Sequence, residues 1–342
     1  MEFIKKSRVK YTIIFSVLIL ALFFTLTFCI CFGSVKIGVL NVGNILFNKD
    51  IIEDPFYDIV WNIRFPRALA TVIGGSALAC SGLLLQIFFK NPIVEPYVLG
   101  VSSGASLAVG IIMLGGLSFG FESISPFMLV AAAFIGSLIV MCIVIIFAGK
   151  VKSVVTLLVI GMMFGYLCSG VTSVLTAFAD KEKLQGFTIW RMGSFSGFTW
   201  EQVRALMIIG IPAILLSMII IKPLNAFLLG EDYAKSMGVK IKKFRIAIVA
   251  ISSILASVVT AFSGPVAFIG LAVPQISRLI FKTTDNKVLV PGTIILGGIV
   301  TSICDLIART IFAPIELPIS AITSFIGAPI VIFLILKRRS TI

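Results

Sequence analysis

Ten apolar runs of about twenty residues each dominate this chain, and a run of that length carries an α-helix across the hydrocarbon core of a bilayer. They fall at 11–32, 66–89, 97–117, 126–148, 154–178, 203–221, 246–262, 265–281, 293–312 and 317–336. The eighth is the least regular, because Pro274 interrupts it. The first follows Lys5, Lys6, Arg8 and Lys10 and so has the flank of a signal peptide. Its apolar run is too long for one and no small-residue cleavage site follows, so a retained helix is expected. The expectation is an all-α polytopic membrane protein of about ten transmembrane helices, one domain over 1–342.

Composition excludes the main alternatives. Hydrophobic residues make up 59% of the chain and charged residues only 13%, where soluble domains carry about 25%. A water-soluble enzyme and a nucleic-acid-binding domain do not fit, despite a net charge of +13. That charge is topological. With both termini and every second loop in the cytoplasm, 19 of the 28 Lys and Arg lie inside, as the positive-inside rule requires. The basic side faces anionic lipid, and nucleic acid need not be invoked. None of the fifteen acids sits near the middle of a span, and Asp305 is the deepest. This scarcity counts against a proton- or sodium-coupled mechanism, which needs intramembrane ionisable groups. The six cysteines lie in apolar runs without a CxxC pair, and histidine is absent, so no metal site is expected.

Small residues recur four apart along several spans: Gly75 and Ala79; Gly100, Gly104 and Ala108; Gly161, Gly165, Ser169 and Ser173. Such stripes let helix backbones approach closely and predict a compact bundle.

Four segments are more polar than their positions require. Arg64-Phe-Pro-Arg67 sets two arginines three apart at the outer mouth of the second span, where snorkelling to the interface is an equally good account. Lys90-Asn91-Pro92-Ile93-Val94-Glu95-Pro96 is a rigid cytoplasmic turn. The loop over 222–245 places Ala226, Leu229, Tyr233, Ala234 and Met237 at helical spacing before Gly238, a natural C-terminal cap. An amphipathic helix there lies on the membrane or docks on a partner, and its small residues favour docking. Asp305 and Arg309, four apart, can form a structural ion pair near the outer surface. Arg191, near the end of the fifth span, adds positive potential to a pathway or is an interfacial arginine. No phosphate-binding P-loop and no nucleophile–base set occurs, so neither ATP hydrolysis nor other catalysis is expected of this chain.

With these residues in view, the chain resembles the FecCD-type permeases, the membrane subunits of binding-protein-dependent ABC importers for iron-siderophores, haem and cobalamin. The resemblance covers the chain from about Trp61 onward. It rests on Arg64-Phe-Pro-Arg67 through Gln86, Asn91-Pro92, Glu95-Pro96, Leu99 to Gly104, and Trp190-Arg-Met-Gly193 to Gly197. It continues through Leu229-Gly230-Glu231, Ala234, Gly238, Phe268-Ile-Gly270 to Pro274, Asp305, Arg309, Glu316-Leu-Pro318 and Gly327-Ala-Pro329. The resemblance implies a type II importer permease in a bacterial cell membrane, working by alternating access. Its implied partners are a second permease copy, two cytoplasmic ABC ATPase subunits that use ATP and Mg, and an extracytoplasmic substrate-binding protein. No cofactor is expected on this chain.

Residue by residue, the resemblance gives Arg64, Arg67 and Arg309 to binding-protein docking, and Leu229, Gly230, Glu231, Ala234, Met237 and Gly238 to ATPase coupling. Asn91, Ile93, Val154 and Val155 match the cytoplasmic gate. Two positions depart from the family: Gln275 replaces a frequent histidine, and Val154 and Val155 stand where cobalamin permeases carry hydroxyls. The favoured substrate is therefore an iron chelate, siderophore or haem. A cobalamin importer is the alternative, and an ion-coupled secondary transporter a more distant one.

Overall fold

The computed structural model describes residues 2–33, 35, 37–47, 56–115, 125–151 and 153–339, and among them every regular element is helical. The helices are α1 (Glu2–Cys31), α2 (Val39–Phe47), α3 (Phe65–Phe88), α4 (Val101–Met113), α5 (Pro126–Ala148), α6 (Val154–Ala177) and α7 (Lys181–Met192). They continue as α8 (Trp200–Ile219), α9 (Ile221–Leu228), α10 (Glu231–Ser236), α11 (Ile241–Ser263), α12 (Ile269–Phe281), α13 (Asn286–Thr310) and α14 (Ile319–Arg339). Seven helices among the described residues are long and apolar enough to cross a membrane, and α4, α12 and α14 are shorter apolar helices. Together they account for all ten expected spans. The polar helix α7 and the short α2 were not anticipated, because neither has the length or apolarity of a span.

Helix α3 is the axis of the bundle. It is continuous with a π-helical stretch, Ile59–Arg64, and Pro66 stands at the junction, in the first turn of α3. It packs against α8, α11, α12 and α13. Its sequence allows this on all sides because small residues face each neighbour. A β-carbon on Gly75 would collide with the Gly297 carbonyl and with Thr301 of α13, and one on Gly82 with the Gly270 carbonyl of α12. The stripe at Gly104 meets Gly136 of α5, and Gly100 meets Gly161 and Gly165 of α6. The glycines of all three stripes thus mark helix contacts, while Ser169 and Ser173 of the third are exposed. Gly75→Leu is expected to separate α3 from α13 at a cost of about 1–3 kcal/mol or more, seen as a lower midpoint of thermal unfolding in detergent. An unchanged midpoint would contradict this packing.

Two expectations need correction. Pro274 does not interrupt α12, which runs through it. The proline removes the N–H that would bond the carbonyl four residues earlier, and that Gly270 carbonyl instead accepts a hydrogen bond from the Gln86 side-chain amide at 3.2 Å. The span is short because α12 begins only at Ile269, after Phe268 in a left-handed conformation. The cytoplasmic loop also forms two helices, not one. Gly230, at φ 123°, breaks the run between α9 and α10, a conformation that L side chains resist.

Candidate functional site

At the outer end, α1, α3 and α13 bring Arg64, Arg67, Asp305 and Arg309 together. The last carbonyls of a helix lack intrahelical partners and carry partial negative charge. Arg64 occupies that position for α1, donating from Nη1 to the carbonyls of Ile30 at 2.9 Å and Cys31 at 2.8 Å, and from Nη2 to that of Val35. Arg309 Nη2 donates to the Cys29 carbonyl. Arg67 grips Asp305 across the α3–α13 contact, with Nε to Oδ2 at 3.0 Å and Nη2 to Oδ1 at 2.9 Å, and its Nη1 reaches Glu316 Oε1 at 2.8 Å.

This geometry refines the sequence pairing. Asp305 does lie near Arg309, but at 3.8 Å, while its fork-on-fork partner is Arg67. Spacing along one helix revealed only the weaker contact. The arginines are also not surface side chains. They are 4%, 7% and 8% exposed and line a cleft of about 350 Å³ with Glu316 and Pro314. Three guanidinium groups against Asp305 and Glu316 leave one net positive charge in it. Burial pushes the Glu316 carboxyl up, but the Arg67 hydrogen bond and charge outweigh it and hold the group below its ordinary value of 4.5. What the Arg67–Glu316 bond contributes is therefore fully present above that value and lost only as pH falls through the lowered one.

Aromatic side chains frame the same end. Trp200 opens α8, packs its ring tilted against that of Trp61 at 5.3 Å and donates from its indole to the Trp61 carbonyl at 2.9 Å. Such rings suit the interface, one edge apolar and one wet.

At the cytoplasmic end, α9 and α10 turn Leu229, Tyr233 and Met237 outward, while Ala234 is fully buried. Gly230 and Gly238, both at positive φ, bound α10. Glu231 is not free: both its oxygens accept from Arg245 Nη2, at 2.6 and 2.9 Å, and Arg245 Nη1 donates to the Val151 carbonyl at 2.7 Å. Arg245 of α11 thus ties α10 to the connection that leads into α6. Asn225 of α9 donates to Asp285 at 2.8 Å and accepts from the Asn286 backbone at 2.9 Å, which fastens α9 to the start of α13. Neither Arg245 nor Asn225 stood out in the sequence, because their partners are 14 to 94 residues away.

The turn at Asn91 is held by its own side chain, which accepts from the Ile93 amide at 3.0 Å. Gln275 donates to Gln86 Oε1 and to the Pro92 carbonyl, each at 2.9 Å, and Arg278 donates to the same Gln86 oxygen at 2.8 Å. The glutamine that replaces histidine therefore fastens this turn to α12. Val155, at the start of α6, is exposed, as is Ile93. No hydrogen bond among the described residues joins these two segments. Arg191 lies not near the end of the fifth span, which stops at Ala177, but in the last turn of the separate helix α7, with its guanidinium 5.7 Å from the Phe187 ring.

A helical bundle with a charged outer cleft and an apolar-tipped helix pair at its cytoplasmic end defines a multi-pass membrane protein. The FecCD transport family profile matches residues 18–337. The hemin transport system permease protein HmuU of Yersinia pestis is 32% identical over 323 residues, covering 94% of this chain and 96% of that protein. The vitamin B12 import system permease protein BtuC of Escherichia coli O9:H4 is 36% identical over 280 residues, covering 82% and 84%. A solved structure, an inward-facing conformation of an ABC transporter of proposed metal-chelate type, superposes with a TM-score of 0.83 at 29% identity, covering 95% of this chain and 99% of that one. The chain belongs to the FecCD transport family and is an ABC importer permease.

Proposed function

We propose that this permease moves an iron chelate, a siderophore or haem, across a bacterial cytoplasmic membrane by alternating access. A loaded substrate-binding protein docks on the cleft of Arg64, Arg67 and Arg309, whose net positive charge steers acidic groups. Two ATPase subunits seat Leu229, Tyr233 and Met237, and a second permease copy completes the pathway. ATP and Mg act on the partners, and this chain holds no cofactor. The observation that carries the reading is the span of α13: its first residue bonds Asn225 of the cytoplasmic helix pair, and its last turns hold Asp305 and Arg309 of the outer cleft. One helix, α13, thus runs between the two proposed docking faces.

Iron is favoured over cobalamin because Val154 and Val155 stand where cobalamin permeases carry hydroxyls. The identity to a vitamin B12 permease keeps cobalamin as the second reading. Co-purification tests the class: a tagged permease should bring down a P-loop ATPase, and its absence would point to a secondary transporter. Arg245→Gln removes the ion pair with Glu231 and the charge-assisted hydrogen bond to the Val151 carbonyl, interactions of about 1.5–3 kcal/mol each. It is expected to lower ATP-driven uptake about tenfold or more while the ATPase stays bound. Unchanged uptake would mean that α10 moves independently of α6.

A further inference from the structure

The inner end of α3 carries one buried amide, Gln86, whose hydrogen-bonding capacity is fully used. An amide side chain offers two N–H donors and an oxygen with two lone pairs. Gln86 Nε2 donates to the carbonyls of Gly270 and Leu271, each at 3.2 Å. Its Oε1 accepts from Gln275 Nε2 at 2.9 Å and from Arg278 Nη1 at 2.8 Å. All four partners belong to α12.

Two helices do not need this set in order to meet. The approach of Gly82 to the Gly270 carbonyl already brings α3 and α12 together. What the amide adds is a third element, the turn that follows α3. The main-chain carbonyl of Gln86 accepts from the Asn91 amide at 3.1 Å. The side chain of Gln275, oriented by Gln86 Oε1, also donates to the Pro92 carbonyl at 2.9 Å. The turn is thus held once from α3 and once from α12, and both ties pass through Gln86. Its far end rests on the same helix, since a β-carbon on Gly270 would lie 2.4 Å from Pro96 Cδ. Left to itself the turn has little to hold it: Pro92 and Pro96 have no N–H, and Lys90 sits at φ 49°, a left-handed conformation that L residues resist.

The chemistry of position 275 fits this task. Two acceptors, Gln86 Oε1 and the Pro92 carbonyl, must be served by one side chain. Glutamine has two N–H groups and serves both at any pH, whereas a neutral imidazole has only one.

We propose that Gln86 and Gln275 are positioning residues that join the turn at 91–93 to α12, so that turn and helix move as one body when the cytoplasmic end opens. The inference rests on the alternating access proposed above and on the gate expected at Asn91 and Ile93.

The test is amide hydrogen exchange in nanodiscs holding the permease with its ATPase partners, without nucleotide and trapped with ADP and vanadate. The reporters are the Asn91, Ile93 and Val94 amides, each hydrogen-bonded in the turn, and the first turn of α12. In wild type, trapping is expected to shift exchange of turn and helix in the same direction. Gln275→Met keeps the length of the side chain but loses both donors. It is expected to raise exchange in the turn about fivefold, the loss of one neutral hydrogen bond, with a smaller rise in α12. Gln86→Leu is expected to free the turn and the start of α12 together, and if that variant does not assemble, Gln275→Met decides alone. A merely structural role would raise exchange along α3 and α12 alike, without separating the turn from the helix. Two results would overturn the inference: exchange in the turn of Gln275→Met within about twofold of wild type, or a wild-type complex in which trapping shifts the turn and leaves α12 unchanged. Failure of the importer reading is separate and would show as an absence of ATPase in the purified complex. The comparison of Gln275→Met with wild type without nucleotide would still decide whether the tie exists.

Discussion

Asp305→Asn is expected to destabilise the permease by about 3–5 kcal/mol, the cost of leaving buried charge without its counter-ion. Asp305 faces Arg67 at hydrogen-bond distance and Arg309 at 3.8 Å, and the two arginines are 7% and 8% exposed. Asparagine keeps the shape but presents one neutral acceptor to two cations. Glu316 remains beside Arg67, so the loss falls short of leaving three bare guanidinium groups. The midpoint of thermal unfolding in detergent measures it. A companion variant keeps the result interpretable: Arg67→Met with Asp305→Leu removes both charges and should cost less than Asp305→Asn alone. If Asp305→Asn unfolds with the wild-type midpoint, the Arg67–Asp305 pair does not hold α3 to α13.

The second large effect concerns docking. Arg309→Gln should slow association of the loaded binding protein about tenfold at low salt and flatten its dependence on ionic strength. Glu316→Gln should have the opposite sign, because it leaves the cleft with two net positive charges where the wild type has one. Neutral substitutions suit this test better than charge reversal. Arg64 and Arg309 hold the last carbonyls of α1, and a carboxylate in their place would face those oxygens and Asp305. Stopped-flow association with the permease in nanodiscs gives both rates. Equal rates in the two variants would remove the cleft from the docking surface.

The spans were legible in the sequence because membrane helices are selected for length and apolarity, both visible in a window of residues. The stripes at Gly75 and Gly104 were legible for a related reason, since close helix contact excludes side chains on one face. Pairing across helices was not. Asp305 and Arg309 could be matched by their spacing, yet Arg67, 238 residues from Asp305, is the partner that holds it. The Gln86 hub had no signal, because its role follows from a carbonyl freed by Pro274 on another helix. The break at Gly230 was hidden for a different reason: apolar periodicity continues through it while the backbone turns to φ 123°. The helix α7 was missed because it is polar and short, although it positions Arg191.

The central claim is that occupancy of the outer cleft is transmitted through one helical bundle to ATPases on the other side. ATP hydrolysis by the permease–ATPase complex in nanodiscs, with and without the loaded binding protein, tests it most directly. Loaded binding protein should raise the rate in wild type, and Arg309→Gln should lose that increase at low binding-protein concentration while hydrolysis without binding protein stays the same. A complex whose hydrolysis ignores the binding protein, or an Arg309→Gln complex stimulated as strongly as wild type across the titration, would contradict the account.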